Sequence, residues 1–439
     1  MSVPHLLPAA AALVVAAVLL AGWYQAARRA EARSVYALAC PDIEHLPCFR
    51  APQVEAFRRR DLLPVYGSSE VLVGDAYRAD KLLRAHPTGF LPFPVGLRAG
   101  TALIHLQKLA GIGPGLRGKK VVVSVTPSAF VPETVPAEPY AGNFSPLDAN
   151  ELAFSTCLSF TVKQAAARRM VQHPTTLERD PLLAFALQKL ADGSMPSAAL
   201  YYAALPLGKL QCALFRIQDH WETCSLIRER APAPAKSPYG PEPIDWQALA
   251  DQAEREYQAH ADNNPFGIEN RSWSQSFASQ VAPAHGPRDG LFLRRLDGAE
   301  EWKDLDLLLR ALREMGAQPL LVSTPLKGDL YDYAGISAGA RQVYYTRLRG
   351  LARAHGIPLV DFADHDGDKY FLRDFSHLSS KGWVCYVRVL DTFFHLPPGA
   401  DMAPAPLPPA DPPREDSPGT TDGPALPGGD WTDLLTTEP

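Results

Sequence analysis

Apolar residues fall into one long run near the start of the chain and a series of shorter, punctuated runs after it. Residues 6–23 are almost uninterrupted Ala, Val and Leu, closed by Trp23 and Tyr24, with Arg28, Arg29 and Arg33 beyond. A stretch of about eighteen such residues suffices for a helix to cross a ~30 Å hydrocarbon layer, and aromatic residues belong at its edge. The expectation is a single-pass N-terminal membrane anchor over 1–34. A cleaved signal peptide is the rival reading, with Ala30-Glu31-Ala32 as a small-x-small site, but no Lys or Arg precedes the run. The arginines after the span would place the following chain on the cytoplasmic side by the positive-inside rule.

Beyond the anchor, residues 62–66, 121–125, 319–323 and 357–361 are short apolar, largely β-branched runs, the pattern of strands buried on both faces. Amphipathic helices are predicted between and after them. One opens after the glycine-rich turn 96–101 with Leu103, Ile104, Leu106 and Leu109, and others cover 151–170, 181–190, 300–315, 338–355 and 379–394. The stretch 75–94 gives mixed signals. Alternating strands and helices predict an α/β fold, a doubly wound and mainly parallel sheet, with a helical insertion at about 148–230. A proline-rich linker is expected at 232–243. One domain thus spans 35–396, and the Pro-, Gly- and Asp-rich remainder, 397–439, is expected to be disordered.

Charge and cysteine content narrow the picture. The net charge of -5 comes from the tail, which holds eight acidic residues against one Arg, so the rest of the 439 residues is close to neutral and no nucleic-acid surface is expected. Six cysteines without a C-x-x-C pair argue against zinc, and no metal or cofactor is expected. Cys40 with Cys48, and Cys212 with Cys224, are close in sequence and are disulfide candidates if the domain lies outside the cytoplasm.

Chemistry concentrates in two distant segments. In Asp374-Phe375-Ser376-His377 a carboxylate precedes an imidazole by three residues, where it can take the Nδ1 proton and leave Nε2 free as a base. In Gly67-Ser68-Ser69 a strand ends in a turn that lets a hydroxyl project. Each alone is an ordinary turn. Strand ends sharing one sheet edge would gather Ser69, the 126–130 loop, the 324–333 loop and the 374–377 turn. The N–H groups at the 96–101 helix start are candidate oxyanion donors.

With Gly67-Ser68-Ser69-Glu70, Asn263-Asn264-Pro265-Phe266-Gly267, the 330–335 loop and the 374–383 segment in this order, the chain resembles the DltD family. The resemblance runs from the anchor to about residue 395. It implies an SGNH-hydrolase-like domain, anchored with the domain outside the membrane, that takes part in adding D-alanine to teichoic acid or an equivalent envelope polymer. Ser69 is then the nucleophile, with Ser68 as its competitor, His377 the general base and Asp374 its orienting carboxylate. The Ser69 N–H and Gly100 would hold the oxyanion. Family members usually carry Ser-Pro-Gln-Trp-Phe where this chain has Thr126-Pro127-Ser128-Ala129-Phe130; Ser128 replaces the Gln and is a candidate oxyanion or substrate contact by that resemblance. Implied partners are a membrane O-acyltransferase, an acyl carrier protein and the acceptor polymer. An esterase or thioesterase of the same fold, and a non-catalytic assembly partner, remain as alternatives.

Overall fold

The computed structural model describes residues 6–39, 49–230, 243–280, 286–397 and 402. At its centre is a five-stranded, wholly parallel sheet in the order β2-β1-β3-β4-β5. The strands are β1 (Leu62–Gly67), β2 (Leu91–Gly96), β3 (Lys120–Val125), β4 (Gln318–Ser323) and β5 (Leu359–Val360). Val121, Val122 and Val123 lie in the middle of the sheet, where both faces are covered, which is why the run carries no polar alternation.

β2 is the strand the sequence pattern missed. Its prolines, Pro92 and Pro94, alternate with apolar residues, and it is an edge strand. The Leu91 N–H reaches inward to Asp61 and the Leu97 N–H to Gly67. Residues of the opposite parity therefore face outward, where a missing N–H breaks no ladder bond.

Because β1 is followed by a step to one side and β2 by a step to the other, the chain reverses direction between β1 and β3. Right-handed crossovers then put helices on both faces. Helix α2 (Ala79–Ala85) packs against the last helix, Ser380–His395, on one side of the sheet. Helix α3 (Ala102–Ile112) packs against α4 (Pro146–Ala153) and the 301–314 helix on the other. From α4 onward come α5 (Phe160–Met170), α6 (Pro181–Asp192) and the 36-residue α7 (Met195–Arg230), and the side chains of Ser145, Ser159 and Asp180 cap the starts of α4, α5 and α6. The expected single run 151–170 is broken at Phe154, and Ser159 caps a fresh helix there, a contribution of about 1 kcal/mol. Two amphipathic helices, α8 (Glu301–Glu314) and α9 (Ala338–His355), flank β4, and α10 (Ser380–His395) closes the fold, burying Trp383, Val384, Val387 and Leu390.

Helix α1 (Leu6–Leu38) includes a segment, Pro8–Leu38, long and apolar enough to cross a membrane. The helix does not stop at the apolar run. Val35 and Leu38 enter the core, Glu31 is 2.6 Å from His220 of α7, and the Tyr36 hydroxyl donates to Asp61. Ala30-Glu31-Ala32 therefore lies inside a packed helix. Cys212 and Cys224 are both free thiols, which corrects the disulfide expectation for that pair. Twelve residues along one helix separate them by ~18 Å, far beyond disulfide reach. Cys40, Cys48, most of the 232–243 linker and nearly all of the acidic tail lie outside the described residues.

Candidate active site

The serine turn is set by what surrounds Gly67. A Cβ there would come 2.8 Å from Val71 Cγ1 and 3.1 Å from Ser124 Cβ, closer than side chains tolerate, so the strand can end in this tight turn only with glycine. Ser69 then opens a short 3-10 turn, Ser69–Val71. Glu70 pins the residue before it: its carboxylate accepts the Ser68 N–H at 2.9 and 3.0 Å, and the Ser68 hydroxyl as well. Burial pushes the Glu70 carboxyl up, and the hydrogen bonds from Ser68 offset this only in part.

The histidine turn is built on a carboxylate. Asp374 Oδ1 accepts the N–H groups of Ser376 (2.9 Å) and His377 (2.8 Å), folding the chain back so that the imidazole meets the other oxygen. The Arg373 N–H closes the loop onto the His377 carbonyl at 2.9 Å, and Ser379 caps α10. Two further segments hold the turn from outside. Lys327 Nζ donates to the Lys369 carbonyl at 2.9 Å, and the Glu269 N–H donates to Arg373 O at 3.0 Å. The Asn264 side chain in turn binds the backbone of Phe266 and Ile268. This gives the asparagine-rich 263–267 patch a bracing role that its turn composition alone did not announce.

The two turns meet. His377 Nδ1 lies 2.7 Å from Asp374 Oδ2, and His377 Nε2 lies 2.9 Å from Ser69 Oγ, across 308 positions of sequence. All three are buried, with Ser69 the most open at 9% exposure. Burial raises the Asp374 carboxyl, but the adjacent imidazole and the hydrogen bonds from His377 and Ser376 outweigh it and hold it below the usual carboxylate range. Such distances lie within the reach general-base chemistry needs. The Ser68 hydroxyl points instead to Glu70.

Beside this line is a cavity of about 80 Å³ lined by Ser68, Gly100, Thr101, Ser128, Phe375 and Glu301, among others. Ser68, Gly100 and Ser128 thus come together at one place. Gly100 corrects one expectation: its N–H donates to Leu97 O at 2.8 Å, so it offers close approach and no oxyanion donor. Its neighbour Ala99 sits at φ 49°, a left-handed conformation uncommon for alanine, at the cavity wall. The Ser128 hydroxyl is 2.9 Å from that of Thr126. Glu301 was not singled out from sequence, because an acidic residue at the start of a helix is the commonest surface pattern there is. Its side chain is 5% exposed, and Oε1 accepts the Ala102 N–H at 2.7 Å. The 324–333 loop does not line this cavity; its contribution is the Lys327 brace.

In a 2-1-3-4-5 parallel sheet the crevice lies where strand order reverses, here between β1 and β3, and the carboxyl ends of those strands carry Ser69 and the 126–130 loop. The class is that of parallel α/β proteins with a hydrogen-bonded Ser, His and Asp at the switch point. Within it the chain belongs to the DltD family, whose model, described as DltD protein, matches residues 50–395. Protein DltD of Bacillus subtilis (strain 168) is 27% identical over 340 residues, covering 76% of this chain and 82% of the relative. Protein DltD of Staphylococcus aureus (strain NCTC 8325 / PS 47) is 25% identical over 334 residues, 76% and 81% of the two chains. That of Lacticaseibacillus rhamnosus is 23% identical over 324 residues, 73% and 75%.

Proposed function

We propose that this protein is a membrane-anchored serine acyltransferase that takes part in D-alanine transfer onto an envelope polymer, with Ser69, His377 and Asp374 as its triad. The observation that carries the reading is the unbroken line from Asp374 through His377 to Ser69 Oγ, at 2.7 and 2.9 Å. Ser69 Oγ attacks the carbonyl of an activated D-alanyl donor while His377 Nε2 takes its proton. The imidazolium, steadied by Asp374, returns that proton to the departing group and leaves a D-alanyl ester on Ser69. A polymer hydroxyl then attacks the ester, giving its proton to His377, and Ser69 leaves with that proton restored. The donor is assigned to an acyl carrier protein and a membrane O-acyltransferase, and the domain to the extracytoplasmic side, where an envelope acceptor lies.

Ser69→Ala tests this in cells and in vitro. Polymer-bound D-alanine is expected to fall to the level of a deletion strain, and labelling by a fluorophosphonate is expected to vanish. Unchanged D-alanine content refutes the triad.

A further inference from the structure

Glu301 is a buried carboxylate that the triad does not use. It sits between Glu300 and Asp304, yet the nearby guanidinium is already committed to those two: Arg169 bonds Asp304 at 2.7 and 3.1 Å and Glu300 at 2.8 and 2.9 Å. Glu301 turns the other way, into the cavity beside Ser68 and Phe375. Among the described residues its one hydrogen bond is from the Ala102 N–H to Oε1, and the ion pairs of the nearby Arg169 go to Glu300 and Asp304 and not to Glu301. Burial, then the charge of Asp304, push its carboxyl up to about 8, with only partial relief from the Ala102 N–H and from the charge of Arg169, which is spent on Asp304 and Glu300. A buried carboxylate with one donor is costly to ionise unless a cation joins it. The cavity around it has room for a short acyl group.

We propose that Glu301 is the ammonium-recognition group of this cavity, receiving the protonated α-amine of an aminoacyl group whose carbonyl is presented to Ser69. The proposal rests on the acyl-transfer reading and adds to it the feature by which a D-alanyl group is told from an acyl group without an amine. Helix capping, the other duty of Glu301, needs only an acceptor at Oε1, and glutamine retains one.

The test compares D-alanyl p-nitrophenyl ester with p-nitrophenyl propionate on the purified full-length chain in detergent. The wild type is expected to favour the alanyl ester, and Glu301→Gln to lower the alanyl-to-propionyl ratio of kcat/KM by roughly 10- to 100-fold, the range of a hydrogen bond to a charged group. An unchanged ratio overturns the proposal, since a purely structural role would lower both substrates together. A wild-type measurement covers a variant that fails to fold: D-alanine methyl ester is expected to protect Ser69 from fluorophosphonate labelling better than methyl propionate, and equal protection overturns the assignment. Equal turnover of both esters by a wild type whose Ser69 the fluorophosphonate can label removes only the ammonium site. No labelling and no turnover of either ester removes the acyl-transfer reading and this one with it.

Discussion

Two carboxylates, one at the end of the Ser-His-Asp line and one lining the cavity beside it, are buried to a similar degree and held in opposite states. Asp374 accepts two backbone N–H groups and faces an imidazole at 2.7 Å, and its carboxyl is pushed down despite burial. Glu301 accepts one N–H, has Asp304 for a neighbour, and its carboxyl is pushed up to about 8. Burial is common to both, so it cannot set the difference. The count and charge of the donors around each group decides which one ionises, and carboxylates pushed apart in this way are suited to different tasks.

The contrast is broken most severely at Asp374. In Asp374→Asn the amide oxygen can still accept the turn N–H groups, but an amide N–H then faces His377 Nδ1 and fixes the tautomer that carries its proton on Nε2. A loss on the order of 10⁴ in kcat is expected, the size known for such a swap in a serine protease. A variant within tenfold of wild type would show that the imidazole needs no carboxylate.

Thermal melting against pH separates the two groups next. Between 4.5 and about 8 the folded state holds a proton on Glu301 that the unfolded chain has released, so stability falls as pH rises through that window. Glu301→Gln is therefore expected to melt higher than wild type at pH 8, by ~2 °C or more, with no gain at pH 4. Asp374 has the reverse sign: its folded carboxyl is depressed, so its contribution is present at neutral pH and lost as pH falls through the lowered value. Asp374→Asn should melt below wild type at pH 7, with the gap closing in acid. Parallel shifts in the two variants would mean that the carboxylates do not differ as described.

The smallest effect is expected at Ser68→Ala, which removes a hydroxyl bound to Glu70 and keeps the N–H bonds to the same carboxylate. A cost of about 1 kcal/mol in a denaturant melt is expected, with fluorophosphonate labelling retained. Loss of labelling would move the nucleophile to Ser68.

The sequence made the ends of this contrast unequally legible. Ser69, Asp374 and His377 could be named because local spacing carries their geometry: a strand ending in Gly-Ser-Ser, and a carboxylate three residues before an imidazole. Glu301 could not, because its partner Ala102 is 199 positions away and nothing near it differs from an ordinary helix start. The β-branched runs announced β1, β3 and β4, where hydrophobic content and burial on two faces coincide. Pro92 and Pro94 hid β2, since a strand can keep proline only at an edge and edge position is a property of the whole sheet. The Gly100 turn was read correctly as a helix entrance, but which carbonyl its N–H meets depends on a turn conformation that residue types do not fix.

Helix α1 has one more consequence. Its 33 residues make a rod ~50 Å long, and the same rod that begins in the apolar run ends with Val35 and Leu38 in the core. Among the described residues the apolar rod is thus packed into the body of the protein as a mast is stepped in its hull. With the apolar end of that mast seated in a bilayer, Ser69 would keep one altitude above the lipid, and donor and acceptor groups would both have to come to that height to be served.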